Sequence, residues 1–96
     1  MTKTILFQNS ESTVPATITL SDDISAYDEI IITMDINGYL EASYFPVSAM
    51  GVGVGLGVCD DGYHTIYTYT SDRLLTLYNS THASGSAVTY VIGIKW

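Results

Sequence analysis

Apolar and polar residues alternate with period two in run after run of this chain, and nowhere do apolar positions recur at the 3.6-residue spacing of a helix. The clearest run is Tyr27-Asp28-Glu29-Ile30-Ile31-Ile32-Thr33-Met34-Asp35-Ile36. Ile30, Ile32, Met34 and Ile36 share one face, while Glu29, Ile31, Thr33 and Asp35 share the other. One wholly apolar face and one mixed face predict a strand laid against a core and partly wetted behind. Asn37-Gly38 supplies the two positive-φ residues of a type I′ hairpin, so the chain should reverse into Tyr39–Phe45. This is read as the central strand, with Ile30, Ile32 and Met34 at the core centre.

The remaining runs are shorter. Lys3 to Gln8 and Val14 to Leu20 predict two strands, the second at a sheet edge because Pro15 cannot donate to a ladder. Ser21 to Ala26 predicts a loop with one helical turn capped by Ser21. Met50 to Val58 alternates Met50, Val52, Val54, Leu56 and Val58 with Gly51, Gly53, Gly55 and Gly57. Glycine weakens a strand interior, so this smooth face needs a reason. Either another backbone or a large aromatic packs on it, or it is a flat docking surface for a neighbouring subunit.

A reversal at Cys59-Asp60-Asp61-Gly62 places Val54, Leu56 and Val58 on the face of Tyr63, Thr65, Tyr67 and Tyr69. Ser71-Asp72 turns the chain into Arg73–Tyr78, and Asn79 to Ser86 reads as a polar loop. The last run places Val88, Tyr90, Ile92, Ile94 and Trp96 on one face and Thr89, Val91, Gly93 and Lys95 on the other. A strand finishing on Trp96 predicts that this end is packed. About eight short strands without a helix predict a single all-β domain over residues 1–96, an antiparallel β-sandwich of jelly-roll type with seven to nine strands.

Composition agrees with an all-β chain. Hydrophobic residues make up 47% of the 96 residues, enough for a core. Ten acidic and three basic residues give a net charge of −7, which leaves no basic patch for nucleic acid and does not favour an anionic membrane surface. The charge serves solubility, or faces a basic partner. One cysteine, Cys59, excludes an internal disulfide framework and a cysteine-rich zinc site. Met1-Thr2-Lys3-Thr4-Ile5 opens no long apolar stretch, so neither a signal peptide nor a membrane span is expected. A small domain without disulfides, metal or a helix layer often completes its burial by oligomerising.

Candidate chemistry is sparse. Cys59 and His64 lie across one turn, yet a catalytic dyad also needs an orienting group. Asp22-Asp23, Asp28-Glu29 and Asp60-Asp61 point to opposite faces if extended and cap or solvate if in turns. Asp35-Ile36-Asn37-Gly38 lacks the later ligands of a calcium loop. His64 and His82 have no local partner, and Asn79-Ser80-Thr81 fits a glycosylation sequon that matters only in a secreted chain. No enzyme, metal or cofactor is expected. Eight tyrosines remain, of which Tyr63, Tyr67 and Tyr69 are candidates for either core or a contact surface for sugar or protein.

Lys3-Thr4-Ile5-Leu6-Phe7, Ala16-Thr17-Ile18-Thr19-Leu20-Ser21, Tyr27-Asp28-Glu29-Ile30-Ile31-Ile32 and the closing Val91-Ile92-Gly93-Ile94-Lys95 resemble, in order and spacing, small β-sandwich domains of tailed-bacteriophage virion proteins. The likeness is to tail-fibre tips and receptor-binding heads, and it covers the first third and the last strand. It implies a trimeric, non-enzymatic virion component, made in the host cytoplasm, that touches other virion proteins and a host-surface glycan or protein. Met1 opens directly onto the first strand, and the run Gly51–Gly57 has no counterpart in that family. A head without an anchor must dock itself, so a capsid-decorating protein is the alternative, and an isolated carbohydrate-binding module a more distant one. Gly51, Gly53, Gly55, Gly57 and Trp96 are the expected oligomer or docking surface.

Overall fold

The computed structural model describes residues 1–60, 63–81 and 85–96, leaving aside the side chains of Cys59 and Asp60. Eight strands occur in it: β1 (Thr2–Gln8), β2 (Thr17–Thr19), β3 (Glu29–Ile36), β4 (Tyr39–Pro46), β5 (Gly55–Asp60), β6 (Tyr63–Ser71), β7 (Leu74–Thr81) and β8 (Ala87–Lys95). They form two antiparallel sheets of four, ordered β1-β8-β3-β4 and β2-β7-β6-β5. β1 pairs with β8 in one sheet and β2 with β7 in the other, so both ends of the chain wrap the middle in jelly-roll fashion. Inside that wrap, the β3–β4 hairpin stays in the first sheet and β5-β6-β7 is a meander in the second.

The central strand is where the alternation places it. β3 lies between β8 and β4, and Ile30, Ile32 and Met34 are at most 1% exposed. Asn37 and Gly38 take φ of 51° and 89°, and the Asp35 carboxylate accepts the Gly38 N–H at 2.7 Å, pinning the turn. Facing β3 across the sandwich are Ile18, Leu56, Val58, Tyr67, Tyr69 and Leu75 from the second sheet, which with Leu20 just after β2 complete one continuous core. β2 is an edge strand, as Pro15 requires, and Thr17 and Thr19 turn outward while Ile18 is fully buried.

Local geometry departs from the simple alternation at several places. The run from Met50 is not one strand: Gly51 to Val54 is a turn closed by the Val54 N–H on the Gly51 carbonyl, and the strand begins at Gly55. The Ser21 cap is absent, since the 3₁₀ turn Ile24–Ala26 starts from Asp23 and has no side-chain cap bond. β7 continues through Asn79-Ser80-Thr81, which pair with Ile66, Thr65 and His64, so these three belong to a strand and not to the expected polar loop. In β8, Thr89 is an extra residue opposite Thr33, and its hydroxyl meets the Thr33 hydroxyl at 2.6 Å. That bulge puts Val88 on the inner face with Val91 and Gly93 and turns Tyr90 and Ile92 to the other face, while Ile94 is only 4% exposed. The expected Asp61-Gly62 turn, His82 and Ser84 lie outside the described residues.

Candidate functional site

Two of the three tyrosines singled out by the sequence belong to the core. Tyr67 is fully buried and donates its phenol to the Pro15 carbonyl at 2.7 Å; burial pushes its pKa upward. Tyr69 is 8% exposed and donates to Asp72 at 2.7 Å. Burial first, and the Asp72 carboxylate second, push its phenol up to about 12. As contact residues both are corrected: inward-facing alternate positions of β6 fill the sandwich, and each hydroxyl finds a partner at its rim. Only Tyr63, 44% exposed at the start of β6, remains at the surface.

The glycines separate into different roles. Gly53, at φ 94°, is the left-handed residue of the Gly51–Val54 turn. Its N–H donates to the Tyr69 carbonyl while the Tyr69 N–H donates to the Val54 carbonyl, so two residues oppose one in a glycine bulge. A Cβ on Gly51 or Gly53 would meet nothing within 4 Å, and one on Gly55 would meet only Ile66 Cγ2 at 3.2 Å. At none of these three positions would a Cβ meet an aromatic ring. The tightly covered glycine is instead Gly93, where a Cβ would lie 2.6 Å from the Tyr27 ring. The expectation that Trp96 is packed also fails within the chain. Its side chain is exposed, although its backbone N–H donates to the Asp28 carboxylate at 2.8 Å.

Gly55 and Gly57 face outward on the second sheet, beside residues that sequence reading did not select. Ile66 pairs with Asn79 and Tyr67 with Leu77, which leaves Tyr78 as an extra residue bulged from β7 and 75% exposed. Gly53, Gly55, Ile66, Thr68 and Tyr78 line an open depression of about 230 Å³. Thr17, Thr76, Thr68 and Gly55 form one cross-strand row over the whole sheet. Thr70 donates to Thr76 Oγ1 at 2.8 Å within this hydroxyl field. Period-two alternation alone points Tyr78 and Thr76 to the same face, but only the register shift isolates Tyr78.

The outer face of the first sheet is different in kind. Ile5, Ile92, Ile31 and Tyr44 are successive cross-strand partners over all four strands. Ile5 is 52% and Tyr44 62% exposed, so this apolar row lies open at both ends. Thr33 and Tyr90 border the row on one side, and Lys3 and Glu29 on the other.

Other clusters are structural. Arg73 Nε contacts Asp23 at 2.7 Å, and Asp22 accepts the Asp23 N–H and the Tyr27 phenol. Those two bonds hold the Asp22 carboxyl below its ordinary value. Asp72 accepts the Ser25 hydroxyl, the Tyr69 phenol and the Ser25 N–H; the first two lower its pKa most. No group of three metal-ligating side chains exists among the described residues. His64 Nδ1 lies 3.2 Å from the Thr81 hydroxyl, and the Cys59 side chain that would complete a dyad is outside the described set. A cavity of about 10 Å³ bordered by Met34, Val58, Thr65 and Ser86 is no larger than a water. Among the described residues no helix is long and apolar enough to cross a membrane. Comparison with protein families finds no match, and comparison with curated proteins finds none either.

Proposed function

We propose that this chain is a non-enzymatic bacteriophage virion component, a β-sandwich head displayed on the particle surface in the manner of a tail-fibre tip. The observation that carries the reading is the apolar row Ile5–Ile92–Ile31–Tyr44 across the outside of the first sheet. An isolated sandwich leaves such a row in water, and a contiguous exposed apolar patch marks a contact surface. A second copy of the chain is its occupant, because the row is bordered by Lys3 as well as Glu29 and so repels neither sign of charge. Three copies, as the sequence resemblance implies, would bring three such faces about one axis and leave the second sheets outward.

Immunogold labelling of particles from the source phage, with antibody raised against the purified chain, tests the location. Label at the tail tip is the expected result. A copy number near capsid stoichiometry with label over the head would replace the tail reading by capsid decoration, and absence from particles would end both.

A further inference from the structure

We infer that the outer face of β5, β6 and β7 around Tyr78 is a binding site for a neutral glycan. In it a pyranose ring lies against the Tyr78 ring above Gly53 and Gly55, within reach of threonine hydroxyls. The inference rests on the proposed reading of the chain as a tail-fibre-tip head, whose role would be adhesion to the host, and names the ligand class of that head.

Shape comes first. The depression of about 230 Å³ has room for a sugar ring, and its floor at Gly53 and Gly55 carries no side chain. Two irregularities frame it: the glycine bulge at Gly53-Val54 on one side and the bulged Tyr78 on the other. Bulges re-aim side chains beside functional sites, and this one leaves a large aromatic ring 75% exposed. The C–H face of a pyranose stacks on such a ring, and an aromatic side chain with a polar tip suits a ligand that is apolar on its faces and wet at its rim.

Chemistry agrees. Among the described residues neither the Tyr78 phenol nor the Thr68 hydroxyl makes a side-chain hydrogen bond, so both donors and acceptors are available to sugar hydroxyls. Thr76 and Thr70 extend the same field. The chain has ten acidic and three basic residues, yet β6 and β7 contain none of them, and β5 contains only Asp60, at the end away from Gly55. An anionic glycan would find no counter-charge here and would be repelled by the net charge of −7. A protein partner fits this face less well than the row on the first sheet: dehydrating threonine hydroxyls costs free energy unless each is paired, and Tyr78 breaks the flatness that sheet packing needs.

The test is an amide-resolved NMR titration of the intact chain with methyl glucoside, methyl galactoside and N-acetylglucosamine, and with sialyllactose as the charged probe. A neutral sugar should shift the amides of Gly53, Gly55, Thr68 and Tyr78 at millimolar concentration. Tyr78→Ala and Thr68→Val should each weaken binding about tenfold while melting as the wild type does. Silence with all three neutral sugars, shifts mapping elsewhere, or wild-type affinity in Tyr78→Ala overturns the site. Binding of labelled chain to host cells separates the two ideas. Adhesion indifferent to neutral sugars and to Tyr78→Ala keeps the head and removes the glycan, whereas sugar-dependent shifts without adhesion keep the site and remove the adhesive reading.

Discussion

Gly93 has its Cα under the Tyr27 ring, so its hydrogen is a packing requirement. Gly93→Ala must push that ring away from the Asp22 carboxylate it serves, and overpacking of this kind costs about 1–3 kcal/mol. Urea unfolding should show the loss; an unchanged midpoint would mean the ring moves freely. Ile32, fully buried at the sandwich centre, should cost about 2–5 kcal/mol on truncation to alanine, read by the same titration. Acid sensitivity belongs at this scale too. Asp22 and Asp72 are both held below the ordinary value of 3.8, so the unfolded chain binds protons more readily than the folded one. Their contribution is present above about pH 4 and is lost as pH falls through the lower folded values. Asp72→Asn should therefore melt closer to wild type at acid pH than at neutral pH. An equal deficit at both would show that its carboxylate contributes nothing that titrates.

Among elements, the Gly51–Gly57 run gives the sharpest contrast. Gly53 sits at φ 94° and Gly51 does not, although a Cβ meets open space at either. Gly53→Ala should lose about 1–2 kcal/mol from backbone conformation alone. Gly51→Ala should be neutral or slightly stabilising because it restricts the unfolded chain. Thermal melts of the pair decide it, and equal behaviour would contradict the turn geometry. Gly55 lies in the strand with Ile66 Cγ2 at 3.2 Å, so Gly55→Val should intrude on that side chain and fill the depression beside Tyr78. β8 teaches a related lesson: one extra residue, Thr89, exchanges which of its side chains meet the core and which meet the surface.

For the whole molecule, the two sheets share one core but present unlike exteriors. The first carries an apolar row, and the second carries a row of threonine hydroxyls across β2, β7 and β6. If the row is the contact between copies, Tyr44→Glu and Ile5→Glu should dissociate the assembly without unfolding it, since both positions are more than half exposed. Sedimentation at micromolar concentration, with circular dichroism as the fold control, reads the outcome. A wild-type chain that stays monomeric would limit assembly to the virion.

Strand content, the β3–β4 turn and the core centre were legible in the residues. Period-two alternation and a positive-φ Asn-Gly pair are local properties, and burial of β-branched faces follows directly from them. Ile30, Ile32, Met34 and Asn37-Gly38 therefore stand where the alternation puts them. Tyr78, the outward row through Ile92, and the divided fate of the glycines were not legible. Each depends on a bulge, and a bulge shifts register by one residue, exchanging inside for outside without leaving a mark in the local pattern. Likewise Tyr67 in β6 and Trp96 just past the end of β8 are both large aromatics, but only Tyr67 is buried between the sheets. Which side chains are covered is decided by the strand that comes to lie opposite. In this chain those partners are brought together by the wrap of β1 on β8 and β2 on β7, across most of the sequence.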